Sequence, residues 1–233
     1  MTVKSNRPPG RLGSGTRPDA LPTALLRQTA MPILGLVFAV CVGGCAFVDK
    51  PLRPAVYDFG PGVLGAPAAN APASLGVLAL SEVEAGSALD STAVSYRLTY
   101  TDAQQLLPYA QARWSMAPAQ LIRQRLREVL GQRRSVLSPG DGNVTGAKPA
   151  LMLRIELEEF SQLFDAPGRS SGLVRLRATL VQGSPVGDKL LGQRSFVAQR
   201  PAPTPDAPGG VRALTAATHA AVEEIEQWLG QFP

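Results

Sequence analysis

LMLRIELEEFSQLFDA, residues 151–166, and GLVRLRATLV, residues 172–181, carry the pattern that constrains this chain most. Leu151, Leu153, Ile155 and Leu157 alternate with Arg154, Glu156 and Glu158. Val174, Leu176, Ala178 and Leu180 alternate with Arg175 and Arg177. Successive side chains of a strand point to opposite faces, so a period of two this regular predicts strands with one buried face. Cross-strand pairing of Glu156 and Glu158 with Arg175 and Arg177 accounts for both sets of charges and leaves no reason to invoke a catalytic carboxylate pair. At Glu159 and Phe160 the parity flips, and Phe160 and Phe164 become the apolar set. The strand either bulges there or changes faces.

Further strands are predicted at 55–60, at 75–84, at 93–100, from 135 for a few residues, and at 189–200. In 93–100 the residues Val94, Tyr96, Leu98 and Tyr100 share one face, which places both tyrosines inward. Residues 61–74 and the stretch up to 150 are punctuated by Pro and Gly and predict loops. Residues 102–114, DAQQLLPYAQARW, predict a polar and aromatic connection. Two segments have helical spacing. Residues 117–131 start with Pro118 where a missing N–H costs nothing, gather Leu121, Ile122, Leu126, Val129 and Leu130 on one side, and end at Gly131. Residues 210–230 carry a stripe of Val211, Leu214, Thr218, Ala221, Val222, Ile225, Trp228 and Leu229, with Asp206 near the helix start. The predicted fold class is therefore α+β: an antiparallel or mixed β-sheet with two α-helices packed on one face, a two-layer sandwich. The other sheet face is left to solvent or a partner.

The N-terminal region follows different rules. Cys41 and Cys45 are the only cysteines. A zinc site needs four ligands, and His219 is the only histidine, so no metal centre is expected. Residues 28–48 are uncharged, but only 32–42 are densely apolar, which fits the h-region of a signal peptide better than a membrane span. Lys4, Arg7, Arg11, Arg17 and Arg27 precede that core, and Val42-Gly43-Gly44-Cys45 ends it. This resembles a bacterial lipobox. Cleavage after Gly44 would discard Cys41 and leave Cys45 as the N-terminus, carrying diacylglycerol and an N-acyl chain such as palmitate. No other cofactor is expected. The leader before the core is long, and Met31 is an alternative start.

Three segments follow: 1–44 as cleaved lipoprotein signal, 45–54 as lipidated tether, and 55–233 as one domain. Ten tether residues span at most about 33–36 Å, so the domain stays close to its membrane. The leader takes five basic residues and one acidic residue from totals of 23 and 18, leaving 18 and 17, a net charge of +1. The basic character of the whole chain thus belongs mostly to the leader, and no nucleic-acid footprint remains. No phosphate-binding Gly loop or nucleophile–His pair is present. His219 lies at the edge of its helix stripe with no catalytic motif attached, which predicts a structural or surface role.

The stretches YDFGP at 57–61, SYRLTYTDAQQLLPYAQARWSMAPAQLIRQRL at 95–126, LRIELEEFSQLFD at 153–165 and AATHAAVEEIEQWL at 216–229 resemble the ABC-type transport auxiliary lipoproteins. The resemblance covers most of residues 55–230. It implies a non-enzymatic part of an envelope lipid-transport system whose periplasmic component has a mammalian-cell-entry (MCE) domain. The expected role is a docking subunit serving envelope integrity, anchored by lipid at the periplasmic face of the outer membrane. Ala46, in the sorting position after the lipidated cysteine, favours that membrane because it is not Asp. The expected partners are the MCE-domain protein, the membrane and further copies of this chain. The alternative is a carrier module that shelters lipid in its own apolar cavity. Tyr109, Arg113 and Trp114 form the expected partner-binding segment, Trp114 being equally suited to plug the helix–sheet junction. Arg123 and Arg127, one turn apart on the polar side of the first helix, form either a solvated face or a contact for lipid phosphates or an acidic partner.

Overall fold

The computed structural model describes residues 53–62, 75–139, 141, 151–184 and 187–232. Cys45, Gly44 and Ala46, and with them the cleavage, lipidation and sorting expectations, lie outside the described residues. In the domain from residue 52 onward, the described residues form eight strands and two helices. In chain order these are β1 (Ala55–Tyr57), β2 (Val77–Ala85), β3 (Ala93–Leu98), β4 (Asp102–Trp114), α1 (Pro118–Leu130), β5 (Ser135–Leu137), β6 (Leu151–Ala166), β7 (Arg169–Gln182), β8 (Lys189–Pro201) and α2 (Ala207–Leu229).

The strongly alternating stretch is the spine of the mixed sheet. β6 pairs antiparallel with β7 along its whole length, and β7 pairs antiparallel with β8. The opposite edge of β6 is shared. Its first half pairs parallel with β2, and its second half pairs parallel with β3. β2 carries β5 on its outside, while β3 carries β4 and then β1. The sheet therefore forks where the chain leaves β2 and rejoins as β3. The parity flip is a bulge: Leu157 stands opposite Leu176 and Glu159 opposite Arg175, so Glu158 is the extra residue. The bulge keeps Phe160 and Phe164 on the same buried face as Leu153, Ile155 and Leu157.

Both helices lie on that face. α1 packs on β2, α2 packs on β7 and β8, and the helices touch each other. Apolar residues of both helices and of the sheet's inner face form one continuous core. α2 begins earlier than its apolar stripe, at Ala207, because Asp206 caps it. The Asp206 carboxylate accepts from the Thr204 hydroxyl and from the Gly209 N–H, and these bonds hold it below the usual carboxylate range. The first turns of α2 sit very close to the sheet. A Cβ on Gly172 of β7 would lie 2.5 Å from the Leu214 nitrogen, and one on Gly210 would lie 2.0 Å from Gln162 Oε1. At Gly172 the neighbours are backbone and only glycine permits the approach, whereas at Gly210 the end of the Gln162 side chain would have to move.

Two expectations are corrected. Residues 102–114 are a strand, not a connection. Register shifts against β3 bring Ala93 opposite Arg113 but Ser95 opposite Pro108. The buried parity therefore changes along β4, from Leu107 and Tyr109 to Ala112 and Trp114, and no single period is visible in the sequence. Pro108 is tolerated because β1 covers only Ala112 to Trp114 of β4's outer edge. The second correction concerns Tyr100. β3 ends at Leu98, so Tyr100 sits in the following turn and is 48% exposed, whereas Tyr96 is half-buried.

Candidate interaction surfaces

The YDFGP stretch builds a knot between the sheet edge and α1. β1 lies parallel to the end of β4, and the chain then turns at Asp58, whose Oδ1 accepts from the Gly60 N–H at 2.8 Å. Gly60 has φ +69°, a conformation that favours glycine. The turn drives the Phe59 ring into the core, 5.6 Å from Trp114 and 6.3 Å from Phe160. Trp114 packs edge-on to Phe160 at 5.5 Å and is 1% exposed. It fills the helix–sheet junction, and an enclosed ring offers no surface to a partner. Its indole nitrogen has no hydrogen-bond partner among the described residues.

Arg125 locks this knot from the α1 side. It is buried, donates from Nη2 to the Phe59 carbonyl at 3.0 Å, and pairs through Nη1 with Glu128 at 3.3 Å. Sequence reading attended to Arg123 and Arg127 and passed over the arginine between them. The signal was present: position 125 falls within the stripe of Leu121, Ile122, Leu126 and Val129, where a charge demands a partner. Arg123 forms an ion pair with Glu82 at 3.0 Å and lies 3.4 Å from the Ser138 hydroxyl. Arg127 donates to the same hydroxyl at 3.3 Å. Both guanidinium groups thus hold the segment after β5, and an external anion would have to compete with these contacts.

Tyr109 and Arg113 lie on β4, not in a loop. Arg113 is exposed. Tyr109 packs against Tyr96, with ring centroids 4.6 Å apart, and donates to Gln162 Oε1 at 2.8 Å. Gln162 is fully buried and donates in turn to the Ser170 hydroxyl at 2.8 Å. Burial first, then Tyr96 and Asp206, push the Tyr109 phenol up to about 12. The expected partner-binding trio is therefore not a single patch: one member is core, one closes a polar relay, and one is at the surface.

Two open clefts flank the core. One, of about 460 Å³, runs between Phe59–Gly62, Arg125 and the α2 flank at Val211, Thr215, Ala216 and His219. His219 Nε2 lies 3.2 Å from Glu223 Oε1, while its buried Nδ1 has no partner. The other, of about 450 Å³, lies at the sheet fork on the face away from the helices. There Arg97 pairs with Glu159 at 3.1 Å, and Arg177 reaches both Glu156 at 3.8 Å and Glu158. Arg175 stands in register with Glu159 and is exposed. The Arg177–Glu156 pair is solvated and contributes about 0–1 kcal/mol, whereas Arg97 and Glu159 are mostly enclosed; together these residues make this face a charged lattice. Among the described residues no three His, Cys, Asp or Glu side chains are grouped to hold a metal ion.

The family model for the ABC-type transport auxiliary lipoprotein component matches residues 57–226. Among solved structures, a Xanthomonas campestris protein of the DUF330 family superposes with a TM-score of 0.55 at 15% identity, covering 78% of this chain and 91% of that one. An uncharacterized protein superposes with a TM-score of 0.54 at 14% identity, covering 76% of this chain and 99% of that one. At these identities the likeness is one of fold. No curated protein matches the chain in sequence.

Proposed function

This chain belongs to the ABC-type transport auxiliary lipoprotein family, and on that premise we propose that it is a non-catalytic docking subunit of an MCE-type lipid-transport system, anchored through lipid on Cys45 at the periplasmic face of the outer membrane. The observation that carries the reading is the family match across the whole folded domain, joined to a lipobox-like Val42-Gly43-Gly44-Cys45 placed ten residues before β1. The architecture supports a docking role. Its side chains converge on packing and on internal ion pairs, and its surfaces are two open clefts, a charged sheet face and unpaired strand edges. The carrier alternative draws less support, because the space between helices and sheet is filled by core side chains and the clefts lie open at the surface.

The anchor is tested on the mature N-terminus by mass spectrometry. Cys45→Ala is expected to abolish acylation and leave unprocessed precursor, whereas Cys41→Ala should leave the mature protein unchanged. An unmodified Cys45 with residues 1–44 still attached in the wild type would overturn the lipoprotein reading. The docking role is tested by capture of the MCE-domain partner from envelope extracts with the lipidated chain. Failure of capture at partner concentrations that saturate other components of the system removes it.

A further inference from the structure

Strand polarity fixes the direction in which the tether leaves the folded domain. β6 runs from a lower rim, at Leu151, to an upper rim, at Ala166. β3 is parallel to β6, β4 returns antiparallel to β3, and β1 is parallel to β4. The chain therefore enters β1 travelling downward, from the upper-rim side. The upper rim holds the β3–β4 turn with exposed Tyr100, the β6–β7 turn with Arg169, and the Asp206 cap of α2. The lower rim holds the starts of β2, β5, β6 and β8 and the last turns of both helices. Its exposed apolar residues are Leu75, Val77 and Leu190.

Direction of entry and length together favour the upper rim. Ala55 pairs with Ala112, one residue above the Ala93–Arg113 pair, and Leu98 is beside Phe164 near the top of β6. At about 3.3 Å per residue, Ala55 lies about 15 Å below Leu98 and about 25 Å above the lower rim. The ten residues from Cys45 to the start of β1 span at most about 33–36 Å. An upward course reaches the upper rim with about half its length to spare. A course to the lower rim must first reverse and then spend about three-quarters of it.

We infer that the domain stands on the lipid bilayer by its upper rim, with Tyr100 at the headgroups and the Leu75, Val77 and Leu190 rim held away from the membrane. This rests on the Cys45 anchor proposed above. An exposed tyrosine suits the place, because its ring tolerates the headgroup region and its hydroxyl keeps water contact. The apolar lower rim is then free of lipid and directed into the periplasm.

The test uses the mature, lipidated chain in phosphatidylcholine vesicles that contain a headgroup-nitroxide lipid. With Cys41 gone and Cys45 acylated, an introduced cysteine is the only free thiol. Tyr100→Cys and Leu190→Cys change exposed side chains and accept a small fluorophore, and Arg169→Cys and Val77→Cys serve as a second pair. The two rims are roughly 45 Å apart, beyond the reach of contact quenching. Labels at 100 and 169 are expected to be quenched several-fold more strongly than labels at 190 and 77. Equal quenching of both rims, or stronger quenching of the lower one, on a chain whose acylation is verified by mass, overturns the orientation alone. A chain without lipid on Cys45 overturns the anchor and the orientation together.

Discussion

Trp114 shows what a residue's neighbours decide that its identity does not. A tryptophan before a helix suits an interface and a core equally well, and only the placement of Phe59 and Phe160 around it makes it core. Trp114→Ala is expected to destabilise the domain by about 3–5 kcal/mol, as for other buried Trp deletions. Arg113→Ala, one residue away and exposed, should stay within about 0.5 kcal/mol. Chemical denaturation of both variants checks this; equal effects would contradict the burial. Tyr109 makes a prediction in pH. Its phenol is raised from 10.0 to about 12 in the folded state, so folding favours the neutral form. That contribution is complete below about pH 10 and is lost as pH rises towards about 12. Denaturation midpoints should fall more steeply over this window in the wild type than in Tyr109→Phe; parallel slopes would show that burial of Tyr109 does not act on its ionisation. A broken pattern carried a signal even where it went unread, as at Arg125, a charge within an apolar stripe. Residue roles were not legible where a ring's partners come from distant segments, as with Phe59 and Phe160.

Elements divide along the same line. β7 and both helices follow one period each, and β6 follows one on either side of its bulge, so their buried faces can be read from the sequence, whereas in β8 Leu190 and Val197 are exposed and only Phe196 and Ala198 are buried. Even the bulge at Glu158 announces itself as a change of parity within a strongly alternating run. β4 was not legible because its pairing with β3 slips twice and its outer edge is mostly uncovered, which lets Pro108 and polar residues stand in a strand. The fork at β2 and β3 was equally hidden, since nothing local tells a chain that both strands will share one edge of β6. The contact between α2 and β7 is where element packing is least forgiving. Gly172→Ala places a methyl group against the backbone of Ala213 and Leu214, where neither side can yield as a flexible side chain would. Overpacking of this kind typically costs about 1–3 kcal/mol. An added alanine at Gly168, where nothing lies within 4 Å, should cost less than Gly172→Ala. A thermal melt of the two variants that ranks them the other way would mean that α2 sits further from the sheet than described here.

At the scale of the molecule, the described residues leave free strand edges on opposite sides of one sheet, β8 on one side and β4 and the short β5 on the other. β8 has a neighbour only in β7, and β4 is covered by β1 only at its end. Contact between the β8 side of one copy and the β4 side of the next would be head-to-tail, because the two surfaces differ. Head-to-tail contacts related by rotation close into rings, while a twofold dimer needs a self-complementary patch. Two physical conditions favour such assembly after processing. The net charge of +1 left once residues 1–44 are removed gives little self-repulsion. The proposed lipid anchor would confine every copy to one plane and, with the proposed upper-rim contact, to one orientation, so that effective concentration and alignment rise together. The lipidated chain is therefore expected to form closed oligomers of more than two copies. Light scattering with detergent correction measures this on the mature chain, alone and with its MCE-domain partner. A mass well above two protomers, unchanged on moderate dilution, is the expected result. A single protomer mass in both conditions, at concentrations where the partner is bound, would leave docking intact but remove the ring, and the two free edges would then be surfaces kept unpaired by Lys189, Arg194, Arg200 and Pro108.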